Sequence, residues 1–301
     1  MFGQASSLKD HSFGFAVTAL GVLFLCPDAL LVRLIQGEGG GGWSIAFWRG
    51  LLTGIGLVVI YGVMEGPGAI RRFLYVDRWV VIASITMAVQ ALAFILSITN
   101  TAVANTLIII ATSPLFTALF SWVLLNEKPP LRTWVAIFLS FVGIVIIVFH
   151  DLRSGHLLGD LLALVTATGL GITFVIIRHR KSVNMIPAMS MGKLLSAVAA
   201  IPLAAPLAMT DLGLGLMMFL GLVLLPVSFA LITLGPRYIP APEVSLLMLL
   251  ETVLAPILVW LALGEAATRE TVVGGFVVLS ALIANSVLTL TSTGRPAKQA
   301  D

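Results

Sequence analysis

The chain has 301 residues, of which 59% are hydrophobic and 10% charged, with a formal net charge of +3 and a mean hydropathy of +1.08. Soluble domains carry about 25% charged residues, so a soluble globular protein is excluded and lipid must be the solvent for most of the surface. One cysteine, Cys26, excludes an internal disulfide, and bases scattered over short connections exclude a nucleic-acid-binding patch.

A helix needs about 20 apolar residues to cross the hydrocarbon core. Ten such stretches follow one another: Phe13–Leu34, Trp43–Met64, Trp79–Ile98, Thr101–Leu125, Leu131–Phe149, Leu157–Ile177, Pro187–Met209, Leu212–Leu234, Ala241–Leu263 and Thr271–Leu290. They are continuously apolar and not alternating, which predicts helices and not a barrel. No Asp, Glu, Lys or Arg occurs from Trp79 to Asn126. Short connections carry strong breakers, among them Gly39-Gly40-Gly41-Gly42, Gly66-Pro67-Gly68, Pro129-Pro130 and Gly235-Pro236. The first stretch lacks the small-residue site of a cleaved signal, and Leu23-Phe24-Leu25-Cys26 is a poor lipid-attachment box.

Basic residues sort by side. The termini and the even-numbered connections hold twelve Lys and Arg, the odd-numbered connections hold three (Arg33, Arg153 and Arg269), and Arg49 and Lys193 fall inside spans. That split predicts both termini in the cytoplasm and requires an even number of spans. The halves also resemble each other. Trp122-x4-Glu127 matches Trp260-x4-Glu265 at an offset of 138, at which Val135 meets Val273 and Phe138 meets Phe276. Five spans per half is an odd number, so a duplicated second half must be inverted. The predicted fold is therefore an all-α integral membrane protein of ten helices. Residues 1–150 form one five-helix repeat and 151–301 its inverted copy, together one transport domain.

The segments from Asn105 through Ser113-Pro114-Leu115-Phe116 to Asn126-Glu127-Lys128-Pro129 carry a family resemblance. So do Ala241-Pro242-Glu243-Val244, Leu250-Glu251-Thr252-Val253-Leu254-Ala255-Pro256 and Gly264-Glu265. They resemble the drug/metabolite transporter superfamily, in particular its ten-helix EamA-type members. In that family a helix with a central Pro ends in Gly-Glu and is followed by a helix with a Gly. Here Asn126 replaces the first Gly, and Ala281 stands where the first half has Gly143. Cys26-Pro27 and the run from Trp43 to Arg49 resemble the YddG-type exporters of aromatic amino acids. The resemblance implies export of amino acids and related metabolites.

Ionisable groups inside spans are the sharpest functional signal, because a charge at the bilayer centre costs at least ~2.5–3.5 kcal/mol. Four qualify as coupling or charge-pair candidates: Asp28, Arg49, Lys193 and Glu251. Glu251 fits a proton-coupling carboxylate, a partner for a substrate amino group, or a structural pair with Arg49 or Lys193. Asp28 fits a ligand site beside the Pro27 kink, or a partner for Arg33. Arg49 and Lys193, at related places in the two halves, fit an anion site, an interhelical tie, or snorkelling. Gln90, Phe94, Asn105, Thr112, Ser113, Met248, Glu251 and Thr252 are the substrate-binding candidates. Asn105 and Thr112 are seven residues apart, as are Ser245 and Thr252, so each pair shares a helix face. Pro27, Pro114, Pro226 and Pro256 are candidate hinges. Trp43, Trp79 and Trp134 suit interface belts, while Trp48, Trp122 and Trp260 lie deeper and suit either lipid or an aromatic solute. Ala46, Gly50 and Gly54 form a small-residue stripe for close helix packing. Glu127 and Glu265 suit the N-termini of the fifth and tenth helices, beside Lys128 and Arg269.

The sequence holds no nucleotide-binding, metal-binding or catalytic motif. It predicts no enzyme activity, no cofactor, no metal and no nucleic-acid partner. Its partners are the lipid bilayer and a small-molecule substrate. The expected protein is a monomeric, multi-pass transporter of the inner (cytoplasmic) membrane. It exports small metabolites, aromatic or other large neutral amino acids first, by secondary active or facilitated alternating access. Alternatives are an antiporter for sugar phosphates or nucleotide conjugates, or a broad drug and metabolite efflux protein.

Overall fold

The computed structural model describes residues 2–66, 77–126, 128–154, 156–179, 185–206, 208–234, 238 and 241–293. All regular structure among them is helical. Eight helices there, from His11–Gly37 to Asp211–Ile232, are long and apolar enough to cross a membrane, and Leu247–Leu263 adds a shorter apolar segment. The ninth predicted span is one helix at its expected bounds, Ala241–Leu263, and the tenth runs Arg269–Thr293. The outer surface is apolar, as lipid requires. Phe138 and Phe276, equivalent in the sequence repeat, both point outward at 65% and 73% exposure.

Among the described residues, four spans depart from a single straight helix. The first is Phe2–Leu25 and then Asp28–Gly37, broken at Cys26-Pro27. The fourth, expected to be continuous, is Val103–Ala111 and Ser113–Leu125, joined at Thr112 two residues before Pro114. A proline cannot donate to the carbonyl four residues back and its ring clashes there, so the chain re-starts. The seventh stops short of the expected Met209. Ile186–Ala200 gives way to a 3₁₀ turn, Ile201–Leu203, around Pro202. In the eighth, Asp211–Phe219 passes through a π turn at Leu220–Leu224 into Leu225–Leu234, which places Pro226 just after the bulge. Pro256, by contrast, sits inside a continuous helix.

Contacts between the ends of spans give their directions. Thr210 Oγ1, before the eighth span, donates to Glu38 Oε2 after the first at 2.6 Å. Gln36 donates to Thr99 O and His156 Nδ1 lies 3.0 Å from Asn100 O. These gather the first, third, fifth and seventh connections at one end, here termed the odd-connection end. At the other end Arg132 donates to Leu288 O, Phe13 packs on Tyr238, and Trp79 on His179. Successive spans thus alternate, and the sixth runs opposite to the first. Packing repeats accordingly. The second span lies on the seventh and the fifth on the tenth, while the third packs on the sixth as the eighth does on the first. Adding five to each span number maps the last two pairs onto each other.

The repeat also explains a departure in the family-like motif. Asn126 and Gly264, separated by the same offset of 138, both cap their helices in the left-handed region, at φ 56° and 72°. Asn is the residue other than Gly that tolerates that conformation best. The partner of Gly143 is Gly274 on the tenth span. A Cβ on either would lie 2.7 or 2.6 Å from the carbonyl oxygen of the other, so the two helices touch backbone to backbone.

Candidate functional site

The break at Cys26-Pro27 ends one helix and starts the next with Asp28 in its first turn, where the helix N-terminus favours a carboxylate. From that position Asp28 meets Arg49 of the second span. Arg49 Nη2 lies 2.6 Å from Oδ2 and Nε donates to Oδ1 at 3.3 Å, a two-point ion pair. Both residues are nearly sealed, at 2% and 4% exposure. The Arg49 guanidinium also stands 5.0 Å from the centre of the Phe94 ring. Arg33, considered above as a partner for Asp28, is engaged elsewhere.

The seventh span reaches this place because the second offers it a glycine. A Cβ on Gly50 would lie 2.6 Å from the carbonyl oxygen of Lys193. Ser190 Oγ donates to Gly54 O at 2.8 Å one turn along, so the small-residue stripe is the seam between these two spans. Lys193 is thereby held beside the Asp28–Arg49 pair, and it feels both of their charges. Its Nζ stands 5.2 Å from the centre of the Phe229 ring. Glu251, on the ninth span, is half-buried and lies within electrostatic reach of the same two residues. Neither the Lys193 nor the Glu251 side chain has a hydrogen-bond or ion-pair partner among the described residues. These four charges therefore gather around the first span, on which the second and ninth spans both pack, with the seventh lying on the second, two charges from each half. They sum to zero, one pair closed and one pair open.

The remaining substrate-binding candidates divide. Phe94 and Met248 pack against the main apolar core that surrounds the charges, and Thr252 is buried beside Glu251. Pro256 withdraws the usual helical donor from the Thr252 carbonyl. Gln90 is half-buried, one turn before Phe94, and its Oε1 has no hydrogen-bond partner. Asn105 points elsewhere, accepting from Thr271 Oγ1 of the tenth span at 2.5 Å. Thr112 sits at the helix joint and bonds back to Ile109 O, so the continuous face on which it joined Asn105 does not exist. Ser113 is buried and accepts from Thr117 through its carbonyl. The side chain of Ser245 and all of Glu127 lie outside the described residues. Among the deep tryptophans, Trp48 donates to Pro206 O, Trp122 packs edge-on against Trp134, and Trp260 is 54% exposed on the outer surface.

A second polar cluster, not foreseen from sequence, closes the odd-connection end. Glu265 was expected beside Arg269 at the start of the tenth helix. Instead Arg33 pairs with it: Nη2 donates to Oε1 at 3.0 Å, and Nε stands 2.9 Å from Oε2 without hydrogen-bond geometry. Oε1 also accepts from the Val103 backbone N–H, so the carboxylate caps the fourth span, across the repeat boundary. Arg33 Nη2 donates to Thr101 O, and Thr101 Oγ1 to Asp160 of the sixth span. First, fourth, sixth and ninth spans are thus tied at one end. The only signal in the chain was the repeated Trp-x4-Glu, which fixes the glutamate at a span end but not its partner. A cleft of about 300 Å³ opens beside Glu265, lined by Ala102, Val103, Pro256 and Trp260, and holds none of the four central charges.

Comparison with known proteins agrees with this two-fold build. The model of the EamA-like transporter family matches twice, over residues 13–149 and 157–287. The chain belongs to the EamA-like transporter family. As an EamA-like protein it is a multi-pass membrane transporter of small molecules. A curated relative, the uncharacterized transporter YwfM of Bacillus subtilis (strain 168), is 25% identical over 232 residues, covering 70% of this chain and 77% of that one. A solved structure titled "Crystal structure of protein" superposes with a TM-score of 0.64 at 15% identity, over 95% of this chain and 99% of that one. That likeness shows a shared fold for the EamA-like bundle.

Proposed function

We propose that this protein exports small metabolites, large neutral amino acids first, across the cytoplasmic membrane by alternating access between its two five-helix halves. The observation that carries the reading is the convergence of Asp28, Arg49, Lys193 and Glu251 at the meeting of both halves. Each charge inside a span is costly, so four brought together in a neutral set favour a solute site over chance retention. Apolar walls from Phe94, Phe229 and Met248 suit an amphipathic solute. The Arg33–Glu265–Val103 cluster supports a state closed at the odd-connection end and loaded from the side of the termini. The excess of basic residues near the termini supports a cytoplasmic location for that side. The anion-antiport alternative needs a free arginine, and the engagement of Arg49 by Asp28 weighs against it.

The test is release from reconstituted vesicles preloaded with radiolabelled amino acids, phenylalanine and leucine among them. Release above protein-free vesicles for at least one of them is expected. No release across the whole panel would defeat the reading.

A further inference from the structure

We infer that Lys193 and Glu251 are the two poles that read a zwitterionic solute, Lys193 taking its carboxylate and Glu251 its ammonium group. The inference rests on the export reading above and assigns the polar contacts within that site. Its ground is an asymmetry among four buried charges. Asp28 and Arg49 satisfy each other at two points and are sealed from any solute. The side chains of Lys193 and Glu251 are left with no polar partner among the described residues. A charge held in a low-dielectric interior without a partner is unfavourable, and an opposite charge brought by a solute recovers that cost. One open cation and one open carboxylate ask for a solute carrying both signs. A lone anion would leave Glu251 unmatched, and a lone cation would leave Lys193 unmatched.

The surroundings fit the same assignment. Lys193 Nζ is held over the Phe229 ring, which positions the ammonium without consuming its hydrogen-bond donors. The half-buried Glu251 presents an acceptor-only group, the complement of an ammonium. Pro256 withdraws the usual helical donor from the carbonyl of the adjoining Thr252. Phe94 and Met248 pack against the same apolar core and provide for the solute's side chain. The closed Asp28–Arg49 pair sits within electrostatic reach of both open groups and adds no net charge to the site.

The experiment compares three solutes that differ only in charged groups: phenylalanine, 2-phenylethylamine, which lacks the carboxylate, and 3-phenylpropanoate, which lacks the ammonium. If another amino acid is the one exported, its own two analogues take their place. Binding is read from ligand-dependent thermal shifts of purified protein for wild type, Glu251→Gln and Lys193→Gln. Glu251→Gln should weaken the zwitterion and the amine about tenfold or more while leaving the carboxylate analogue unchanged, the size expected for one charge-assisted hydrogen bond. Lys193→Gln should weaken the zwitterion and the carboxylate analogue by a similar factor while leaving the amine unchanged. Lys193→Arg and Glu251→Asp keep the charges and the wild-type order of ligands, which guards against a variant that folds poorly. Equal weakening of all three ligands in both variants, or no weakening of any, overturns the assignment while leaving export standing. Failure of wild type to bind or release any amino acid removes the export reading and the assignment with it.

Discussion

Removing one partner of the Asp28–Arg49 pair should strand the other inside the bundle. The magnitude follows from burial. At 2% and 4% exposure neither group can recover water, and loss of one partner of a buried pair costs about 3–5 kcal/mol. Arg49→Gln should fall at the top of that range, because it also forfeits the Phe94 contact, worth up to about 2 kcal/mol when desolvated. Asp28→Asn should fall lower, since Glu251 is near enough to compensate part of the stranded guanidinium. The double variant strands neither member of this pair, and its amides can hydrogen-bond each other, so its loss should be only about 1–2 kcal/mol. The singles therefore sum to more than the double by at least about 2 kcal/mol. Detergent-titrated unfolding of purified protein, run on all four members of the cycle, measures this. Additive losses, or single-variant losses below about 1 kcal/mol, would refute the claim that the pair is desolvated and mutually satisfied.

Further outcomes follow from other contacts. Glu265→Gln should loosen the odd-connection end, and labelling of the native Cys26 by a membrane-impermeant thiol reagent from that side should quicken roughly tenfold, as expected for loss of a charge-assisted contact. Unchanged labelling would mean the Arg33–Glu265 contact is not a closure. Gly143→Val should destabilise by about 1–3 kcal/mol, read as a lower melting temperature, because its side chain would enter the Gly274 backbone. Asn105→Ala should lower stability by about 1 kcal/mol without altering the amino-acid preference of transport, since its amide ties the fourth span to the tenth. A changed preference would return Asn105 to the solute site.

Apolar length and the internal repeat made the architecture legible. Ala241–Leu263 lies at its expected bounds because breakers flank it, whereas the helix that starts at the expected Leu131, after Pro129-Pro130, runs on to Ser154, past the expected Phe149. Prolines announced irregularity but not its form. Pro27 and Pro114 accompany breaks, Pro226 a π turn, and Pro256 a continuous helix. Which of these results depends on what packs alongside, as Gly56 does against the Pro226 ring. The intramembrane charges could be picked out individually, since each breaks an apolar run. Their partners could not. Asp28 and Arg49 lie on different spans, and Arg33 and Glu265 are 232 positions apart. The sequence also does not reveal that Thr112 faces its own helix joint, because a seven-residue spacing implies a shared face only on an unbroken helix.

The measurement that tests alternating access most directly is counterflow in vesicles reconstituted with the purified protein. Vesicles preloaded with excess unlabelled solute and diluted into a trace of the labelled solute should accumulate label transiently above its equilibrium level, because a carrier with one site open to one side at a time exchanges faster than it moves net. Label that only equilibrates, with no effect of preloading, would contradict the account and point to an open pore.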